Sequence, residues 1–499
     1  MLTSASFGGA IRSPASGPPR GAEEARTRPP RRAAKPATRR PAGPPRGVLG
    51  PALGHRPRHR RPTARRGASV GSATLDDVAA AEVEIAPVTT IEAELAFTRP
   101  EDVRGEAGPG PARAETLSRE AFAETTSHDR RRCAIRDLAA PGGLLPDLCT
   151  HGFDLVDLSR RARLQAALER ARAAGSVDEA GARTIRRALV GRVLPLRGGR
   201  RLLLLFIAPE GFIMRRGGPA GIAVDAPAGP PAMNGHDAAM AVHADQDVDG
   251  TPVRQLLRGA APWLFRHDSP TRHNHRSPVA LVNLWIPLDQ VTRPLAVMDK
   301  RSLDRRAHQL RYGLPTDGFL DRPAATRIND IWSFLHDDAQ RWHFASAIDA
   351  RTAFVFDTLS TPHGAFKLPG EGIAAARYRQ LRAVIAAVDA GDREAAARAV
   401  DAPLPRDLEA PQTEPLRQAI AAIEAALADA RGRLDALTRG EGAATFSANA
   451  AAIADRVVRK SIEMRGVALV LPRRRGRRPD PSARTQAAPS QVSTPRSGS

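Results

Sequence analysis

The stretch Leu202-Leu-Leu-Leu-Phe-Ile207, then Pro209-Glu-Gly211, then Phe212-Ile-Met214, decides the fold class. A continuous apolar run of this length, bounded by a turn signal, reads as a fully buried strand. The Pro-Glu-Gly interruption predicts a buried hairpin. Similar runs lie on either side: Gly152-Phe-Asp-Leu-Val156, Val279 to Ile286, Leu295 to Met298, Ala353 to Phe356 and Gly466 to Leu471. Arg161 to Ala174 reads as an amphipathic helix. Short strands with long connections predict a mainly β fold with flanking helices, a sandwich or jelly-roll barrel.

Composition divides the chain along its length. Residues 1–115 form an Arg/Pro-rich region expected to be disordered, with one short strand at Val83 to Val88 and a linker at Gly105 to Pro111. The core is placed at residues 116–369. Residues 370–445 are Ala-rich and read as a helical hairpin insertion, broken at Ala402-Pro-Leu-Pro405. Its second helix, 415–438, spaces Leu416, Ile420, Ile423, Leu427, Ala430, Leu434 and Leu437 by fours and threes. That seam suits packing on the barrel or a homodimer arm. Residues 446–471 hold the final core strand, and 472–499 form a basic tail expected to be disordered.

The net charge of +21 suggests nucleic acid until it is located. Residues 1–70 carry a net +14 and residues 472–499 a net +6, which leaves about +1 for the core. A neutral core with basic tails argues against specific nucleic-acid binding. Two cysteines make neither a disulfide framework nor a paired metal site. The longest apolar run, Leu202 to Ala208, is too short to span a membrane. A cytoplasmic setting is the expectation.

Oxygen-activating iron needs three protein ligands on one side and open positions on the other, and two His with one carboxylate supply this. Alternate strand residues point the same way, so His-x-Asp can place two ligands together. Two such pairs occur: His243-Ala-Asp245 and His336-Asp-Asp338. The first follows a plausible apolar strand, whereas the second reads as a turn or helix cap. His363 follows the strand Ala353 to Phe356, in Ser360-Thr-Pro-His-Gly-Ala-Phe366. His267, His273 and His275 read as a solvated loop. A cosubstrate carboxylate would also need a cation with a nearby hydroxyl, a form that Arg459-Lys-Ser461 has.

The ordered set of segments resembles the hydroxylase/desaturase family of iron(II)/2-oxoglutarate oxygenases, which includes gibberellin desaturase-like, aspergillic acid hydroxylase-like and cephalosporin methoxylase-like proteins. The matching segments are Val242-His-Ala-Asp245, Val282-Asn-Leu-Trp-Ile-Pro-Leu288, Arg293 to Leu303, Thr361-Pro-His-Gly-Ala-Phe366 and Arg459-Lys-Ser-Ile-Glu-Met-Arg465. Trp342 fits the family's aromatic segment. The resemblance implies a double-stranded β-helix and a hydroxylase or desaturase acting on a secondary-metabolite-like small molecule. It also implies Fe(II), 2-oxoglutarate and O2 as cofactor and co-substrates. It makes His243, Asp245 and His363 iron ligands and Arg459 with Ser461 the 2-oxoglutarate anchor. Asn283, Trp285 and Arg465 would support the pocket. Ile286 stands where the family usually has Arg, and about ninety residues separate His363 from Arg459. Arg377, closer to His363, is therefore the alternative anchor. An inactive scaffold of the same fold and a basic-tailed nucleic-acid binder are the alternative functions.

Overall fold

The computed structural model describes residues 90–105, 113–114, 128–224, 230–234, 236–250, 253, 257–289, 291–315 and 328–473. Two sheets face each other. The larger runs in the order β1 (Thr90–Phe97), β4 (Asp129–Asp137), β15 (Trp342–Phe344), β12 (Leu295–Met298), β17 (His363–Ala365), β8 (His243–Ala244), β14 (Ile328–Phe334), β13 (Gln309–Pro315), β3 (Arg113–Ala114) and β2 (Val103–Arg104). The smaller runs β5 (Phe153–Asp157), β16 (Thr352–Asp357), β11 (Val279–Asp289), β18 (Arg459–Leu471), β7 (Arg201–Gly217) and β6 (Val193–Pro195). A two-stranded ribbon, β9 (His267–Asp268) with β10 (His273–Asn274), pairs with neither sheet. Pairing is antiparallel apart from β13 with β3 and β15 with β4. Many neighbours, such as β17 with β8 and β11 with β18, are far apart in sequence, as in a jelly roll, while β6 with β7 and β13 with β14 are consecutive.

Helices cover both outer faces. Helices α1 (Ala162–Ala174) and α2 (Glu179–Leu189) bury Leu164, Leu168, Ile185 and Leu189 against Val282, Leu284 and Ile286 of the smaller sheet. The outer face of the larger sheet, with Ile135, Trp332, Phe334 and Phe344, packs on α3 (Glu371–Asp389), α5 (Glu414–Gly432) and α7 (Ala443–Asp455). Two shorter helices, α4 (Arg393–Val400) and α6 (Leu434–Thr438), complete that layer. Between the sheets lies a smaller apolar cluster around Phe153, Trp285, Val297, Phe354 and Phe356. Burying one such large side chain contributes about 1.5–3 kcal/mol, so three apolar layers hold four layers of structure together.

Several expectations need correction. The stretch 201–217 is one long strand and not a hairpin: β7 pairs with β18 along its whole length. Four residues, 208–211, lie opposite the single residue Arg465, so Pro209-Glu-Gly is absorbed as a bulge. The ordered structure begins earlier than residue 116. The alternation in Thr90–Phe97 buries Ile91, Ala93, Leu95 and Phe97 and makes β1 an edge strand paired to β4. The strand expected at Val83 to Val88 and the tail 474–499 lie outside the described residues.

The insertion holds five helices among the described residues, not two. The 415–438 helix breaks at Arg433, and Ala443–Asp455 is helical where the strand region was expected. Alanine has the highest helix propensity, which explains α7. The seam is already covered: Leu416, Ile420, Ile423, Leu427, Ala430 and Leu437 are buried with Leu381, Val384 and Phe446 of the same chain. No helix among the described residues is long and apolar enough to cross a membrane.

Candidate metal centre

β8 and β17 are neighbours in the larger sheet, and His243 pairs directly with His363. Paired residues put their side chains on the same face. Both imidazoles therefore enter the space between the sheets, with ring centroids 4.4 Å apart. Asp245 follows two residues after His243 and reaches the same point, with its Oδ1 3.8 Å from His243 Nε2. Ligand atoms of His243, Asp245 and His363 all lie within 4.8 Å of one another, the only such metal-capable group among the described residues. All three side chains are buried.

The surroundings set each ligand's protonation and direction. His243 Nδ1 lies 2.8 Å from the Ala241 carbonyl, and His363 Nδ1 lies 3.1 Å from the Thr361 carbonyl. A carbonyl only accepts, so each Nδ1 carries the proton and donates it. Each Nε2 is left with its lone pair facing the centre. Burial pushes His243 down to about 3, and the neighbouring His363 adds to the effect. Burial also lowers His363, against the pull of Asp245. Both rings are thus neutral at neutral pH, the state a metal requires. Burial alone would raise Asp245, but Arg465, the two histidines and Asn283 hold it well below the usual carboxylate range. Arg465 donates to its Oδ1 at 2.6 Å and Asn283 to its Oδ2 at 3.1 Å.

Thr361 fixes the approach to His363. Its hydroxyl donates to the Gly152 carbonyl at 2.9 Å. A Cβ at Gly152 would stand 2.4 Å from Thr361 Oγ1, and its φ of +91° favours glycine as well.

The second feature is Arg459. Odd residues of β18 face inward, so Arg459, Ser461, Glu463 and Arg465 line the same space as the triad. Arg459 is 1% exposed, and its Nε and Nη1 have no hydrogen-bond partner among the described residues. Its Nη2 reaches Ser461 Oγ at 3.4 Å, and its guanidinium lies 5.6 Å from the Trp285 ring centre. Burial pushes Arg459 down to about 10, opposed by Glu463. Glu463 is held by Arg215 at 2.6 Å and cannot neutralise Arg459 by contact. The Trp285 Nε1 is also buried without a partner.

The alternative anchor sits elsewhere. Arg377 lies on α3 and donates to Glu424 and Gln380, so its guanidinium is engaged in the helical layer. His336-Asp-Asp338 forms a turn in which Asp337 accepts from the Ala339 amide at 2.8 Å. His267 departs from the solvated reading: it is buried, with Nδ1 3.1 Å from the Phe265 carbonyl, while His273 and His275 stay exposed. The sequence reading passed over Glu463 and Arg215. The period of two through Arg459, Ser461 and Arg465 could have flagged Glu463.

A family profile described as an oxidoreductase/YMDC permease-like domain matches residues 215–380, a stretch that holds the whole triad and ends before Arg459. The chain is similar to an iron and alpha-ketoglutarate-dependent endoperoxidase, NvfI. Identity is 14%, over 77% of this chain and 99% of that one, with a TM-score of 0.36. A second structure of that enzyme, in a different conformation, is similar to the same degree, over 77% of this chain and 100% of that one. No curated protein matches. So loose a likeness leaves the reading of the site to its own geometry.

Proposed function

We propose that this chain is a non-haem iron(II)/2-oxoglutarate-dependent oxygenase that hydroxylates or desaturates a small molecule. The observation that carries this is the pairing of two parts in one interior space. One is a buried His-Asp-His set with both Nε2 lone pairs turned inward. The other is a buried arginine with no counter-ion in contact among the described residues. An unpaired buried cation is costly, and a carboxylate ligand would satisfy it. The donor set fits iron(II), since two imidazoles and one carboxylate leave positions open for other ligands.

His243, His363 and Asp245 would hold the metal. When bound, iron with 2-oxoglutarate and O2 supplies the oxidising power that removes hydrogen from an unactivated carbon. The chain supplies the rest. Arg459 and the Ser461 hydroxyl receive the distal carboxylate of 2-oxoglutarate. Asn283 and Arg465 fix both oxygens of Asp245. Ala241 and Thr361 hold the imidazole tautomers. Phe356, 4.4 Å from the His363 ring, closes one side against water.

Anaerobic titration with iron(II) and 2-oxoglutarate tests this through the visible charge-transfer band. Wild type should develop the band, and His243→Ala and His363→Ala should not. Arg459→Ala should need at least tenfold more 2-oxoglutarate, about 1.4 kcal/mol, while Arg377→Ala should behave as wild type. A normal band in both histidine variants overturns the site. A shift in Arg377→Ala alone moves the anchor.

A further inference from the structure

One register row crosses the larger sheet through Ser333, His243, His363, Val297, His343 and Arg136. All six share the inner face. His343 therefore stands two strands from His363, about 10 Å away, with Val297 between them. It is 4% exposed, and its Nδ1 has no hydrogen-bond partner among the described residues. Its ring packs at 5.7 Å on Phe153. An unmet polar atom at such depth costs about 1–3 kcal/mol, and apolar packing of the triad does not require a histidine here.

His343 lines a cleft of about 370 Å³ that Arg136, Arg301, Arg341, Asp137 and Asp299 also line, beside the loop Ala140 to Gly143. Both acids are already engaged. Asp299 accepts from the Arg301 guanidinium at 2.7 Å and from the Arg301 amide at 3.1 Å. Asp137 accepts from the Ala139 and Ser346 amides and from the Ser346 hydroxyl. Arg136 and Arg341 are different: no acid pairs with either guanidinium among the described residues. Two guanidinium forks without an acid partner among the described residues and one buried imidazole thus line one concave space.

We infer that this cleft binds a small oxyanion, a carboxylate or a phosphate, between Arg136, Arg341 and His343. Guanidinium forks match the planar or tetrahedral oxygens of such a group. The cleft lining includes neither the triad nor Arg459; Val297 stands between His343 and His363 in the sheet, and Phe153 packs on the His343 ring. The site needs no metal, so it stands or falls independently of the proposed oxygenase activity.

Calorimetric titration of the full chain with inorganic phosphate, and in parallel with succinate, tests the inference. One of the two anions should bind saturably, and which one does names the source. The double substitution Arg136→Gln/Arg341→Gln should weaken that binding at least tenfold. Both residues are exposed, so the fold should survive, as unchanged circular dichroism will show. His343→Phe, which keeps an aromatic ring, should weaken it as well. Absence of saturable binding for either anion, or wild-type affinity in the double variant, overturns the site. Wild-type affinity in His343→Phe removes the imidazole from it.

Discussion

The two faces of β18 use one backbone for opposite purposes. Ile462, Met464, Ala468 and Val470 join the aliphatic layer under α1 and α2. Arg459, Ser461, Glu463 and Arg465 turn toward the other sheet. Depth does not separate them: Arg459 and Met464 are almost equally buried. What separates them is partnering. The apolar face is satisfied by contact alone, whereas each polar residue needs a specific partner. Glu463 has Arg215, and Arg465 has Asp245. Arg459 has no ion-pair partner among the described residues, and that difference is what the proposed carboxylate ligand would remove.

The largest way to break this contrast is at Asp245. Asp245→Ala removes a proposed ligand and strands Arg465, and should abolish iron(II) binding in anaerobic equilibrium dialysis; retained binding would show that the inner face does not converge on a metal. On the outer face, Met464→Ala should cost about 2–5 kcal/mol of stability by cavity formation, measured by urea denaturation. Iron affinity of the folded fraction should stay at the wild-type value, and a parallel loss would mean that the two faces are not independent. Asn283→Ala leaves Asp245 in place without one of its donors. It should weaken iron(II) binding by about 10–100-fold, and an unchanged affinity would make that hydrogen bond incidental.

The smallest effect concerns pH. Burial pushes His343 down to about 4, below the ordinary imidazole value of about 6.5. The unfolded chain takes up this proton first as pH falls. The stability that His343 contributes as a neutral ring is therefore complete above about pH 6.5 and is lost progressively toward about pH 4. Denaturation profiles over that window should slope less steeply in His343→Phe than in wild type. Identical slopes would mean that the imidazole is not held neutral by its surroundings.

Much of the architecture was legible where a short-range rule governs. The period of two in Val279 to Ile286 and in Gly466 to Leu471 sets which side chains face α1 and α2, and the i, i+2 spacing brings His243 and Asp245 together. The direct pairing of His363 with His243 was not legible, because it depends on two strands of two and three residues with little pattern of their own. Pro209-Glu-Gly211 was misread because a bulge and a turn share the same residues, and only the partner strand decides between them. Thr90–Phe97 was readable from its alternation but is masked by the acidic stretch around it. The orphaned atoms of Arg459 and His343 have no sequence signal at all, since partnering is a property of three dimensions.

β18 lies between β11 and β7, in the middle of its sheet, yet among the described residues it is the last strand in chain order. Until it arrives, both neighbours present unpaired edges that can join to other chains. Its contacts reach back more than two hundred residues, to Arg215 and Asp245. Such distant pairings close slowly. During synthesis the histidine pair can assemble first, and the arginine that would seat the carboxylate comes last. On the proposed reading, a nascent chain gathers its candidate metal ligands before it holds the cation that would seat a co-substrate.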